Sequence, residues 1–287
     1  MAIKLNTFIG NKAFYKHTLA IALPIMIQNG ITNFVGLLDN IMVGQIGTEQ
    51  MSGVAIVNQL LMIFNLCIFG GIAGAGIFTA QYYGENNNEG IRNTIRFKIL
   101  IGVILTAIAT IIFILFGDIL ITSYLKGSSD GGDLSAALHY GKSYLMIMLL
   151  GLPPFMMLQA YTGTLRECNE TVVPMKAGLV AVCVNLVFNY LLIYGKLGFP
   201  QLGVVGAASA TVLARYVEAG IVIFWTHKNK EKNPYIVGLY KKFFIPFSLF
   251  KKFLAKGAPL LVNETLWSGG MAMLMQKREI ILRFQIR

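Results

Sequence analysis

Seven apolar runs, each near or above the length that crosses a bilayer, constrain this chain more than anything else in it. They occupy residues 19–43, 51–80, 99–116, 140–161, 172–194, 204–226 and 258–275. A helix of about 20 apolar residues spans the hydrocarbon core. Backbone N–H and C=O groups find no water there, so a spanning segment must satisfy them internally. The two-residue alternation of barrel strands is absent from these runs, which leaves helices. Composition agrees: 55% of residues are hydrophobic and 13% charged, against about 25% charged in soluble domains. One core cannot absorb that much apolar surface, so lipid must cover the rest. The expected fold class is an all-α integral membrane protein. It has a six-helix transmembrane bundle plus the start of a seventh helix.

The net charge is +11, and its distribution carries more information than its size. Lys4, Lys12 and Lys16 precede the first run. Arg92, Arg96 and Lys98 lie between the second and third, and Arg166 and Lys176 between the fourth and fifth. Between the sixth and seventh stand Lys228, Lys230, Lys232, Lys241, Lys242, Lys251, Lys252 and Lys256. The intervening loops hold few. Basic residues mark cytoplasmic loops, which predicts a multi-pass protein of the cell (plasma or inner) membrane with its N-terminus in the cytoplasm. No basic stripe lies on a soluble domain, so no nucleic acid partner is expected. The bilayer itself is the expected surrounding.

The predicted division is a six-helix lobe over 1–226, a cytoplasmic linker over 227–257, the first helix of a second lobe over 258–276, and an atypical tail over 277–287. The linker holds an apolar stretch, 243–250, among lysine pairs. It is either an amphipathic segment lying on the membrane surface or a solvated loop. After it, Leu254-Ala255 and Pro259 repeat the spacing of Leu19-Ala20 and Pro24. Repeated halves of this kind are a transporter signature. Cys67, Cys168 and Cys183 have no metal-ligand spacing and read as small apolar fillers.

Polar groups inside spans are costly, which makes them functional candidates. The first span carries Gln28, Asn29, Thr32 and Asp39. Gln28, Thr32 and Asp39 share a helical face. Asp39 is either an interfacial aspartate or an ion-binding carboxylate that takes a proton or, with other oxygens, a hard cation such as Na⁺. Gln28, Asn29 and Thr32 are candidates for a substrate cavity. Asn185 and Asn189, spaced i,i+4, are either cation ligands or helix–helix hydrogen-bonding groups. Thr211 follows a run of small residues that includes Ala207. Arg215 and Glu218 read as a structural ion pair. Glu264 lies five residues after Pro259 and is a coupling candidate. Pro153-Pro154 should kink the fourth span or mark a break in it. No catalytic constellation and no phosphate-binding loop emerges, so no enzymatic activity and no cofactor is expected.

Four stretches together resemble the multidrug and toxic compound extrusion (MATE) family. They are Leu23-Pro24 leading to Asp39-Asn40-Ile41-Met42-Val43-Gly44; Leu165-Arg166-Glu167-Cys168-Asn169 with Val173-Pro174-Met175; Asn185-Leu186-Val187-Phe188-Asn189; and Gly203-Val204-Val205-Gly206-Ala207-Ala208-Ser209-Ala210-Thr211. The resemblance implies twelve helices in two six-helix lobes around a central cavity. It implies an antiporter that exports drugs or organic cations in exchange for Na⁺ or H⁺. Asp39 matches the family's coupling aspartate and Asn185 its asparagine. Asn189 falls where some members carry aspartate. Thr211 and Ala207 match positions near that site, and Glu264 matches an acidic residue of the seventh helix. Any Na⁺ would then be held at Asp39, Asn185, Asn189 and Thr211.

Against the family's length the chain stops where a second lobe should begin. The basic ending after Gln276 does not resemble the family. A missing C-terminal lobe and a truncated or frame-shifted product are therefore expected, a reading that sequencing the gene past its stop decides. A lipid-linked precursor flippase of related fold and a non-transporting half-protein are the alternatives.

Overall fold

The structure is a computed structural model. It describes residues 11–125, 133–241 and 244–285, with backbone alone for His17, Ser268, Gly269 and beyond Gly270. Eight α-helices and one short 3₁₀ turn follow in chain order among the described residues. They are α1 (Lys12–Gly44), α2 (Thr48–Gly84), α3 (Asn88–Leu125), α4 (Leu134–Leu150), α5 (Leu152–Glu167), α6 (Val172–Tyr194), α7 (Val204–Lys228), the 3₁₀ turn Pro234–Ile236, and α8 (Phe247–Gln285). α1, α2, α3, α6 and α7 are long and apolar enough to cross a membrane, and the bent pair α4–α5 makes a sixth span. α8, with Lys251, Lys252 and Lys256 in its first turns, is not among these spans over the described residues.

Local chemistry fixes the ends. The Asn11 side chain accepts from Phe14 N at 2.8 Å and caps α1. Asp133 caps α4 through Ser135 N and Ala136 N. The Ser135 hydroxyl, followed by those two backbone N–H groups, holds the Asp133 carboxyl below the usual carboxylate range. α6 stops at Gly195, whose φ of +65° is left-handed.

The 140–161 run is two helices. α4 ends at Gly151 and α5 leaves at an angle of 48°, with prolines at the first helical positions of α5. A break frees carbonyls that the bilayer would leave unsatisfied. Here Tyr216 Oη donates to Leu150 O at 3.2 Å, and Arg215 reaches Gly151 O at 3.4 Å. Arg215 also lies over the Phe155 ring at 5.1 Å. The expected Arg215–Glu218 contact is therefore not made as a direct ion pair. The ion pairs among the described residues are Lys98–Glu167 and Lys142–Asp118.

Two further expectations change. Arg92, Arg96 and Lys98 do not sit in a loop: α3 begins at Asn88 and carries all three. Of the 227–257 segment, expected as a linker with a membrane-surface amphipathic stretch or a solvated loop, part is buried. Tyr235, Ile236 and Leu239 are buried in one core cluster with Ile91, Tyr161, Leu165 and Val222. Its start still belongs to α7 and its end already belongs to α8. Phe253 of α8 is buried against Phe78 and Phe97, with ring centroids 5.0 and 5.4 Å away.

α8 packs on α2 because glycines let the backbones meet. A Cβ on Gly70 would stand 2.9 Å from Leu261 Cα, and one on Gly74 would strike the backbone of Gly257. Through 277–285 the backbone continues α8. Residues 1–10 of the first lobe and Ile286 and Arg287 of the tail lie outside the described residues.

Candidate functional site

α6 and α7 approach closely because their facing residues are small. The missing side chain of Gly206 leaves room for the Leu192 carbonyl, and Ala207, Ala208 and Ala210 are buried beside it. That contact sets Asn185 and Asn189 of α6 against Thr211 of α7, with Asp39 of α1 on the third side. The Thr211 hydroxyl donates to Ala207 O at 3.1 Å, its own preceding turn. Asn185 Nδ2 donates to Thr211 Oγ1 at 3.3 Å. Asn189 Nδ2 donates both to Asn185 Oδ1 at 3.1 Å and to Asp39 Oδ1 at 2.5 Å. Asn185 and Asn189 are 4% and 1% exposed.

The chain of donors runs one way and leaves an acceptor over. Asn189 Oδ1 is buried without a hydrogen-bond partner. A buried orphan acceptor costs about 1–3 kcal/mol. Here it lies in the same group as a carboxylate, a second amide oxygen, a hydroxyl and a backbone carbonyl. That is a set of oxygens with one formal negative charge. It suits one proton, or one hard monovalent cation held mainly by neutral oxygens. Clusters of three or more His, Cys, Asp or Glu are absent among the described residues, so a transition-metal centre has no donor set there.

The other expected residues separate into different places. Gln28 is engaged: Arg166 donates to its Oε1 at 2.7 Å. Asn29 and Thr32 are exposed on α1, and the Thr32 hydroxyl bonds its own turn at Gln28 O. Glu264 packs against Gly70 of α2. Its helix, α8, contacts α2 and α3, while the Asp39 group comes from α1, α6 and α7.

Tyr144 of α4 was not legible as a site residue. Its hydroxyl donates to Asn58 Oδ1 at 3.3 Å. A tyrosine inside an apolar run carries no sequence signal that separates such a role from packing. Lys98 was read as a loop anchor. It is 1% exposed, pairs with Glu167 and donates to Thr164 Oγ1 at 3.1 Å.

A bundle of membrane-length helices that brings one half-buried carboxylate together with neutral amide and hydroxyl oxygens defines a polytopic membrane protein with a candidate cation site. The MatE family model matches residues 24–191, and the chain belongs to that family. It is 29% identical over 266 residues to the probable multidrug resistance protein NorM of Thermotoga maritima, covering 90% of this chain and 53% of that protein. It is 24% identical over 242 residues to the multidrug resistance protein MdtK of Pectobacterium atrosepticum, covering 84% and 51%. An outward-facing multidrug resistance MATE transporter of the MOP superfamily shares its fold, with a TM-score of 0.75 at 24% identity over 90% of this chain and 55% of that one. A MOP superfamily transporter from Pyrococcus furiosus gives 0.74. The chain spans about half the length of the curated relatives it matches.

Proposed function

We propose that this chain forms the ion-coupling lobe of a secondary antiporter that exports drugs or organic cations in exchange for Na⁺ or H⁺. It works in the plasma membrane with its N-terminus in the cytoplasm, and a second lobe supplies the other wall of the cavity. It carries out no covalent chemistry. The observation that carries this reading is the oxygen group of half-buried Asp39 and Thr211 with buried Asn185 and Asn189, the Asn189 oxygen left unpartnered.

The mechanism follows from the charge. An unneutralised carboxylate among apolar helices is costly. A bound Na⁺ or proton removes that cost, and an organic cation can remove it as well. Two cations that stabilise one carboxylate compete, and that competition is the physical basis of exchange. Because Asp39 sits on α1 and its partners on α6 and α7, neutralising it changes what holds α1 to the bundle. α1 is also the least buried of the spans, so it is free to respond. The relatives' names support drugs as the exported class.

A flippase for anionic lipid-linked precursors would need free cations facing the cavity. Arg215 reaches Gly151 O and Arg166 donates to Gln28 Oε1 with its Nε left unpartnered, and it is the relatives' names that favour the antiporter.

Hydrogen exchange of α1 and α6 amides in the purified chain tests the lobe's part. Protection is expected to rise with NaCl over choline chloride at constant ionic strength, or with falling pH, and Asp39→Asn is expected to show neither response. An unchanged response in Asp39→Asn overturns the assignment. Joined to a relative's second half, the wild type is expected to drive organic-cation efflux and Asp39→Asn to lose it.

A further inference from the structure

Between α7 and α8, residues 235–240 and Phe244 are tied to α3 and α5 by side-chain hydrogen bonds. Arg96 of α3 donates to Leu239 O at 3.0 Å, Gly238 O at 3.0 Å, Phe244 O at 3.3 Å and Asn93 Oδ1 at 3.1 Å. Arg92 donates to Tyr235 O at 3.2 Å. Tyr161 Oη bonds both His227 Nε2 and Tyr240 Oη. Tyr235 of this segment is buried in the core, whereas the aromatic side chains just before and at the start of α8 face outward. Phe244 and Phe247 stay 69% and 78% exposed. With Leu100, Ile245 and Phe250 they line an open apolar groove of about 400 Å³, a size typical of small-ligand sites.

The charge beside the groove is of one sign. Residues 233–257 contain Lys241, Lys242, Lys251, Lys252 and Lys256 and no Asp or Glu. Lys241, Lys251 and Lys252 are exposed. Neither ion pair among the described residues uses them. Lys251 stands one helical turn after Phe247, on the same face. An apolar slot for a chain, with exposed lysines next to its lining residues along the sequence, is complementary to one molecule of the surroundings.

We infer that this groove is a binding site for an anionic phospholipid of the cytoplasmic leaflet, its acyl chain along Phe244, Phe247 and Phe250 and its headgroup phosphate on Lys251 and Lys252. The leaflet, though not the site, rests on the orientation proposed above. The bracing by Arg92 and Arg96 gives the site its function. A lipid docked there is fixed to α3 and to the start of α8 together, and it ties the packing of those two helices to lipid composition.

Native mass spectrometry of the purified full chain tests this, with phosphatidylglycerol and phosphatidylcholine titrated in the same detergent. Phosphatidylglycerol is expected to be retained preferentially. Lys251→Gln/Lys252→Gln is expected to lower its retention roughly thirtyfold, about fivefold for each lysine near an anionic charge, with phosphatidylcholine unaffected. Phe247→Ala is expected to weaken both lipids and to keep the preference. Equal retention of the two lipids, or a preference that survives loss of both lysines, overturns the site. Glycerol phosphate competing as well as the whole lipid overturns the groove's part in it. Orientation is read separately, by alkylation from outside intact cells of Phe199→Cys in the α6–α7 loop. If only that label fails, the leaflet is wrong and the site stands.

Discussion

The Asp39 group and the Arg96 clamp are both polar clusters inside an apolar protein, and they are built on opposite principles. Arg96 makes four hydrogen bonds, three of them to backbone carbonyls of one short segment. Arg92 and the Tyr161–His227–Tyr240 group complete the attachment. The Asp39 group ends in an acceptor with no donor. A cluster that satisfies its members rigidifies, whereas one that leaves a member unsatisfied keeps a place for something else. The first is how the fold holds its linker, and the second is what a transported ion would complete.

That contrast is open to breaking. Arg96→Ala removes the clamp and leaves several carbonyls unpaired. A stability loss on the order of 4 kcal/mol is expected, read by thermal unfolding in detergent, with exchange protection lost at Gly238 and Leu239. A loss within about 1 kcal/mol would show the linker held by its apolar residues instead.

Next in size is Glu167→Ala, which strands Lys98 and is expected to cost about 3 kcal/mol, since Glu167 is itself part-exposed. Adding Lys98→Met should restore most of it, because an apolar pair replaces a buried ionic one at little net cost. Asp39→Asn belongs to the other principle. Its stability is expected to stay within about 1 kcal/mol of wild type, while the response to Na⁺ or H⁺ disappears.

The smallest effect is kinetic. Cys168, just past the end of α5, is buried, and burial pushes its thiol up to about 12. The sign is that of an acid kept neutral: at pH 8 roughly one thiol in ten thousand is ionised, and only the thiolate reacts. Alkylation is expected to be slow in the native chain and faster in Tyr235→Ala, which opens the cover over Cys168. Equal rates would mean that the linker does not shield it.

The two regions also differ in how far the sequence foretold them. Asp39, Asn185 and Asn189 stood out because a polar residue inside an apolar run is conspicuous, and the i,i+4 spacing of the asparagines put them on one face, whereas Thr211 and Ala207 were joined to them only through the resemblance. The spans themselves were legible for the same reason, and Pro153-Pro154 marked the break at Gly151. The clamp was not legible. Arg92 and Arg96 bond backbone carbonyls, which every residue has, so no partner is written into the sequence. The Lys98–Glu167 pair joins helices far apart in the chain, and a lysine near a span end reads as a loop anchor until burial is known. The buried linker was missed because Tyr235, Ile236 and Leu239 are too few to form a run. Glu264 was grouped with Asp39 through the resemblance, and the packing of α8 on α2 places it elsewhere.

The central claim is that Asp39 and its oxygen partners hold one exchangeable cation. Binding of radiolabelled Na⁺ to the purified chain, together with its proton uptake, measures this directly in wild type and in Asp39→Asn. The expected result is one Na⁺ or one proton held by wild type and lost in the variant, with competition between the two ions. The same binding and the same proton uptake in both proteins would contradict it.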